Sequence, residues 1–226
     1  MDQKKLFFSK VPIFNKLSPE IQEKLASSAI QRRFDAGQVI YLEGEPAESV
    51  FIIESGWVKA TRISREGREQ AILFLPSNNI FGDIAVFTGT TYPGTVTALE
   101  PVKLWVIPAS QILRLTREYP DLAMAVIRRM GESVLYHVEL IEDLSLHSVE
   151  ARVARTLLRY AGLSGGRLVV PRQAWTTFDE MAVRLGTVRD VLSRALRTLE
   201  NEGLLQVERR EIVLLDPKAL AKRSNS

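Results

Sequence analysis

Five side chains able to meet nucleic acid fall close together: Arg189, Asp190, Ser193, Arg194 and Arg197. On a helix of roughly 3.6 residues per turn they share one face, opposite Val191, Leu192, Ala195, Leu196 and Leu199. A guanidinium presents a planar fork that fits guanine O6 and N7, and a carboxylate accepts from cytosine N4 or steadies a neighbouring arginine. The bland alternative is a solvated helix in which Asp190 and Arg194 form an i,i+4 pair. Thr177, three residues before Glu180, predicts the start of a shorter helix with Met181, Ala182 and Leu185 facing inward. Gly186 ends it, and Thr187 is expected to cap the second helix. Two short helices joined this way form a helix-turn-helix whose second member enters the major groove, with Thr187 beside the reading residues. The runs 204–207 and 212–215 then predict a hairpin, a wing whose turn carries Arg209 and Arg210 as phosphate contacts.

Charge and composition point the same way. Residues 1–147 carry 16 basic and 18 acidic side chains, whereas residues 148–226 carry 14 basic, 12 of them Arg, and 9 acidic. The basic surplus of the C-terminal part suits a polyanion, although an ordinary solvated surface is the other reading. Cys is absent, which excludes disulfides, thiolate nucleophiles and cysteine-held iron–sulfur or zinc centres. No apolar run approaches the roughly 18 residues of a membrane span, and the start lacks a signal peptide's apolar stretch, so a cytoplasmic location and no membrane partner are expected. With only His137 and His147, no metal site is expected, and a Ser/His/Asp triad would have to use one of the two.

The elements that must position these residues show in the periodicity. Between Phe34 and Pro108, β-rich runs at 39–42, 49–53, 56–60, 70–75, 95–99 and 103–107 alternate with glycines, which predicts an antiparallel β-barrel or jelly roll. Ser18-Pro19-Glu20, followed by Ile21, Leu25 and Ala29, predicts a short helix before it. From 119 to 146, Ile127, Met130, Val134, His137, Ile141 and Leu144 recur at heptad spacing. Such a seam is buried by a second copy of the helix in a parallel homodimer, or else by the barrel of the same chain. Residues 145–148 read as a hinge, 149–161 as a helix and 167–171 as a short strand. The expected fold class is α+β, divided into a sensor barrel (1–118), a dimerisation helix with hinge (119–147) and a winged helix-turn-helix (148–226).

This order of parts resembles the cyclic-AMP receptor protein/FNR (Crp/Fnr) family of bacterial transcription regulators over nearly the whole chain. The resemblance is carried by 186–196 (GTVRDVLSRAL), 199–204 (LENEGL) and Phe81-Gly82-Asp83-Ile84. It implies a homodimeric, sequence-specific DNA-binding regulator, not an enzyme, with Arg189, Asp190 and Arg194 at the main base-reading positions. It also implies as partners double-stranded DNA bearing a near-palindromic operator, a second copy of the chain and RNA polymerase. Asp190 stands where relatives often carry Glu.

The sensor domain departs from the family pattern. Cyclic-AMP-binding members present an Arg-Ser pair to the cyclic phosphate and a Glu to the ribose, and the corresponding residues here are Pro93, Gly94 and Asp83. Tyr92-Pro93-Gly94 is similar to the version in members that do not use cyclic AMP. Without the Arg, the charge-assisted bonds to a phosphate are lost, so cyclic AMP is not expected to bind in the usual way. The alternative is a cyclic-nucleotide-dependent regulator that uses Asp83 and backbone amides instead. The expected pocket comprises Gly82, Asp83, Ile84, Tyr92, Pro93, Gly94, Thr95 and His137, with no assigned cofactor and an unidentified small molecule, if any, as effector. His137 lies on the heptad seam, where two copies could meet across the axis to sense protons, a haem or a ligand, or could simply fix the register. A cupin-type enzyme is the remaining rival, disfavoured because the barrel lacks clustered His and carboxylates.

Overall fold

The computed structural model describes residues 3–67, 69–172 and 176–224, and its chain divides into two compact units, 1–136 and 137–226. In the first, helices α1 (Gln3–Phe8) and α2 (Pro19–Ser28) precede strands β1 (Ile30–Phe34), β2 (Val39–Tyr41), β3 (Ser49–Ser55), β4 (Val58–Ile63), β5 (Glu69–Leu75) and β6 (Ile80–Phe81). Helix α3 (Asp83–Thr88), strands β7 (Thr95–Ala98) and β8 (Val102–Pro108), and helices α4 (Ala109–Glu118) and α5 (Pro120–Leu146) follow. The strands form two antiparallel four-stranded sheets, ordered β1-β8-β3-β6 and β2-β7-β4-β5.

Strand β3 shows why these sheets need both layers. Its period of two sends Val50 and Ile52 into a core with Leu25 and Ile112 from α2 and α4, and sends Phe51 and Ile53 into the core between the sheets with Val58 and Val96. A strand buried on both sides reads as a continuous apolar run rather than an alternation. Ser18 accepts from the Ile21 N–H at 3.4 Å with Pro19 at the first helical position, so α2 starts where expected.

Several elements were not anticipated. Strand β1 is largely exposed, so it has no alternating pattern, and its pairing with β8 joins residues about seventy positions apart. Helix α4 places Ile112 and Leu115 in the core but spans only ten residues between Pro108 and Tyr119. Helix α3 lies between Gly82 and Gly89, in a stretch whose glycines favour turns over helix.

The second unit takes in the end of α5. It continues with α6 (Val149–Tyr160), β9 (Gly162–Ser164), β10 (Arg167–Pro171), α7 (Phe178–Arg184), α8 (Arg189–Asn201), β11 (Leu205–Val207), β12 (Glu211–Leu214) and α9 (Pro217–Arg223). Its sheet has the order β11-β12-β10-β9. The core gathers Val153 and Leu157 of α6, Leu192, Leu196 and Leu199 of α8, and Leu205 and Ile212 of the hairpin. Helix α5 ends at Leu146, and Ser148 accepts from the Ala151 N–H at 3.2 Å to open α6, so the helix breaks within the segment read as a hinge. Across this break Arg155 donates to Asp143 at 2.5 Å and Arg159 to Glu139 at 3.0 Å. Among the described residues, no helix is long and apolar enough to cross a membrane.

Candidate functional site

Helix α7 begins as its sequence predicts: the Thr177 hydroxyl accepts from the Glu180 N–H at 3.2 Å. Ala182 and Leu185 are buried, and Gly186 turns the chain at φ 63°, a left-handed conformation that costs a side-chain-bearing residue free energy. The expectation that Thr187 caps the next helix is corrected. Val188 occupies the cap position with no side-chain hydrogen bond, while the Thr187 N–H donates to Ala182 C=O at 2.9 Å. Thr187 thus belongs to the turn, and α8 starts one residue later than expected.

Helix α8 buries Leu192, Ala195, Leu196 and Leu199, so its opposite face turns to solvent. Arg189, Asp190, Arg194 and Arg197 are exposed there and Ser193 is half-buried. Asp179 of α7 pairs with Arg189 at 3.3 Å, both well solvated, which holds the guanidinium over the start of α8 without burying it. At the far end, Glu200 accepts from the Val207 N–H at 2.9 Å and ties α8 to the hairpin.

The hairpin β11–β12 has the register of a wing, with the Glu208 N–H donating to Glu211 C=O at 2.9 Å across its turn. Arg209 and Arg210 are exposed at the tip. Arg167 of β10 donates to Glu208 at 3.3 Å and to Glu211 at 2.6 Å, so the acidic residues on either side of the turn are matched within the domain. Wing and motif together border a concavity of about 910 Å³, lined by Arg172, Arg189, Arg209 and Arg210 with residues 176–179. Arg172 is the member that periodicity does not reveal: its contacts to Glu208 and Arg210 span more than thirty residues, and only its place just before the helix cap hints at it. Four guanidiniums around one hollow produce a local positive potential suited to phosphate oxygens.

In the first unit, the residues expected to line a pocket differ in burial. Asp83 is 5% exposed, Tyr92 and Gly94 are buried, Thr95 is half-buried, and Ile84 and Pro93 face solvent. Gly82 precedes α3, packed against the Tyr92 ring and the Ser49 carbonyl. A Cβ at Gly94 would stand 2.8 Å from the Thr61 carbonyl oxygen, so only glycine fits that approach. The interior is filled by aromatic rings: Tyr41 stacks on Tyr92 at 3.7 Å between centroids and Phe51 on Phe81 at 5.0 Å. The Tyr92 hydroxyl donates to Ser49 C=O at 2.7 Å and is thereby occupied. Burial raises the Asp83 pKa above the usual carboxylate range, opposed by the charge of Arg129 and by backbone N–H groups.

Along α5, the seam residues differ in setting. Ile127, Val134 and Ile141 are 60–63% exposed, and Leu144 is exposed as well. Met130 packs against the core beside Leu122 and Val126, and His137 is half-buried. Met124 and Val138, absent from the heptad reading, share the exposed stripe.

Family comparison accounts for both units. Residues 31–119 match the model of the cyclic nucleotide-binding domain and residues 151–223 that of the Crp-like helix-turn-helix domain. The chain belongs to the Crp/Fnr family. The regulator is 24% identical over 216 residues to a CRP-like cAMP-activated global transcriptional regulator of Mycobacterium tuberculosis, covering 94% of this chain and 96% of the relative. It is 29% identical over 215 residues to a cyclic AMP receptor protein of Thermus thermophilus, covering 91% and 95%. Among solved structures, FixK2 from Bradyrhizobium japonicum superposes with a TM-score of 0.77 at 21% identity, over 88% of this chain and 98% of that one. The regulator thus has the transcription-control function of its family, a DNA-binding helix-turn-helix and a cyclic nucleotide-binding type of domain.

Proposed function

We propose that this regulator acts as a homodimer that binds a near-palindromic operator in duplex DNA, and that its N-terminal unit does not take cyclic AMP in the usual way. The observation that carries the reading is the solvent-facing row Arg189, Asp190, Arg194 and Arg197 on a helix whose other face is wholly committed to the core. A row so placed reads base edges, Thr187 and Ser193 flank it, and Arg209 and Arg210 hold the backbone. The exposed apolar stripe through Ile127, Val134 and Ile141 supports dimerisation, since a soluble helix rarely leaves such a stripe in water. The partners are duplex DNA, a second copy and RNA polymerase, and the place of action is the cytoplasm.

The sensor reading rests on the missing arginine beside Pro93 and Gly94 and on the ring-filled space around Tyr41 and Tyr92. A second reading is favoured by the cyclic nucleotide-binding match over 31–119: Asp83 and backbone amides would hold the nucleotide instead. Calorimetry with cyclic AMP and cyclic GMP separates the two, and micromolar binding of either establishes the second. The operator is tested by selecting bound sequences from random duplex DNA with the purified chain and no added ligand. Enrichment of a two-fold symmetric site is expected; enrichment of none would refute sequence-specific binding without an effector.

A further inference from the structure

Arg172 lies outside the reading helix, yet it touches two separate parts of the second unit. Its backbone N–H donates to Arg210 C=O at 2.8 Å. Its guanidinium donates through Nη1 to Glu208 C=O at 3.3 Å and through Nη2 to Thr176 C=O at 3.3 Å, and it sits 5.2 Å from the centre of the Phe178 ring. The backbone of Arg172 thus holds the wing turn at Arg210, while its side chain holds the turn at Glu208, on the other side of Arg209, and fastens it to the entrance of α7. Its two Nη donors point at carbonyls and one face lies on an aromatic ring, so it is half-buried rather than offered to solvent.

From this geometry we propose that Arg172 is a positioning residue: it holds the wing turn against the first helix of the motif so that Arg209 and Arg210 stand prealigned, each for its own phosphate of the DNA backbone. The proposal rests on the DNA-binding reading above and adds how the phosphate-holding part is made rigid. On an untethered hairpin tip the two arginines give up conformational freedom to reach the phosphates, and where that loss exceeds the gain the contacts are not made and the counterions stay on the DNA. A lysine cannot replace the fork, because its single ammonium cannot serve two carbonyls in different directions while stacking on a ring.

The test is equilibrium binding of the full chain to one duplex over a series of salt concentrations, for wild type, Arg172→Lys, Arg172→Ala, the Arg209→Ala/Arg210→Ala pair, and that pair combined with Arg172→Ala. Each backbone phosphate contact contributes about 0.9 to the slope of log affinity against log salt. Arg172→Lys keeps the charge and the stem, so its fold is preserved, and it is expected to lower the slope by about 2 per subunit, as the Arg209/Arg210 pair does. In the background lacking those two arginines, Arg172→Ala is expected to change nothing further. A slope left intact by Arg172→Lys and Arg172→Ala overturns the proposal, as does an additive loss in the combined variant, which would make Arg172 itself a phosphate contact. The slope is read on non-specific as well as selected duplex. Wild type that binds but selects no sequence therefore defeats the operator reading and leaves this test standing, whereas wild type that binds no duplex overturns both.

Discussion

Arg194 projects from the middle of α8 with its backbone carbonyl tied to the Thr198 hydroxyl and its guanidinium facing solvent, so it answers to whatever lies in front of the helix rather than to its own fold. Arg194→Ala is expected to weaken specific binding by about 1–3 kcal/mol and to relax preference at one base pair while leaving non-specific affinity nearly unchanged. Competition between the selected operator and single-base variants measures this, and undiminished discrimination would remove the role. Asp83 is the opposite case, a carboxyl enclosed by protein. Because burial raises its pKa, the folded state holds the proton to a higher pH than the unfolded chain does, so stability falls as pH rises through that interval. Asp83→Asn removes the buried charge and keeps an acceptor for the backbone N–H groups. The variant is expected to withstand more urea than wild type at about pH 8, with the difference closing as pH falls to about 4 and below. A difference that is the same at every pH would assign the effect to packing instead.

At the scale of elements, α5 presents two unlike faces: Leu122, Val126 and Met130 belong to the core, while Ile127, Val134 and Ile141 do not. Burying one such aliphatic side chain contributes about 1.5–3 kcal/mol, and a two-fold interface gains each contribution twice. Val134→Glu should therefore yield a folded monomer by sedimentation at micromolar concentration, with operator affinity reduced at least tenfold because the half-sites no longer cooperate. A dimer of unchanged stability would place the interface elsewhere. The same helix shows how far sequence is legible. The heptad rule finds the helix, because spacing alone determines it. It assigns Met130 to the seam although that side chain packs on the core, because pattern cannot say which of two adjacent stripes its own chain covers. The helix-turn-helix was readable from Thr177, Gly186 and the leucine face of α8, all local signals. Arg172 was not, since its role arises from a hairpin that returns more than thirty residues later, and Thr187 misled because residue type does not say whether the turn ends at that position or one residue later.

For the whole molecule, the consequence lies in operator geometry. Arg155 to Asp143 and Arg159 to Glu139 join α6 to the last turns of α5 within the second unit. The proposed dimer, if its two recognition helices keep a nearly fixed separation, suits half-sites about one helical turn, 34–36 Å, apart. Inserting about 5 bp at the operator's centre turns the second half-site to the far side of the duplex, and inserting about 10 bp restores its face but moves it another turn away. A stiff connection is expected to lose both sites, each by at least tenfold in Kd or about 1.4 kcal/mol. A flexible one would recover most of the affinity with the longer insertion, as tethered modules do. Gel-shift titration of the three spacings therefore reads the stiffness directly. If the longer insertion binds almost as well as the original, the ion pairs across the helix break do not hold the unit, and an effector in the N-terminal unit would have no rigid lever through which to bias the two DNA-binding geometries.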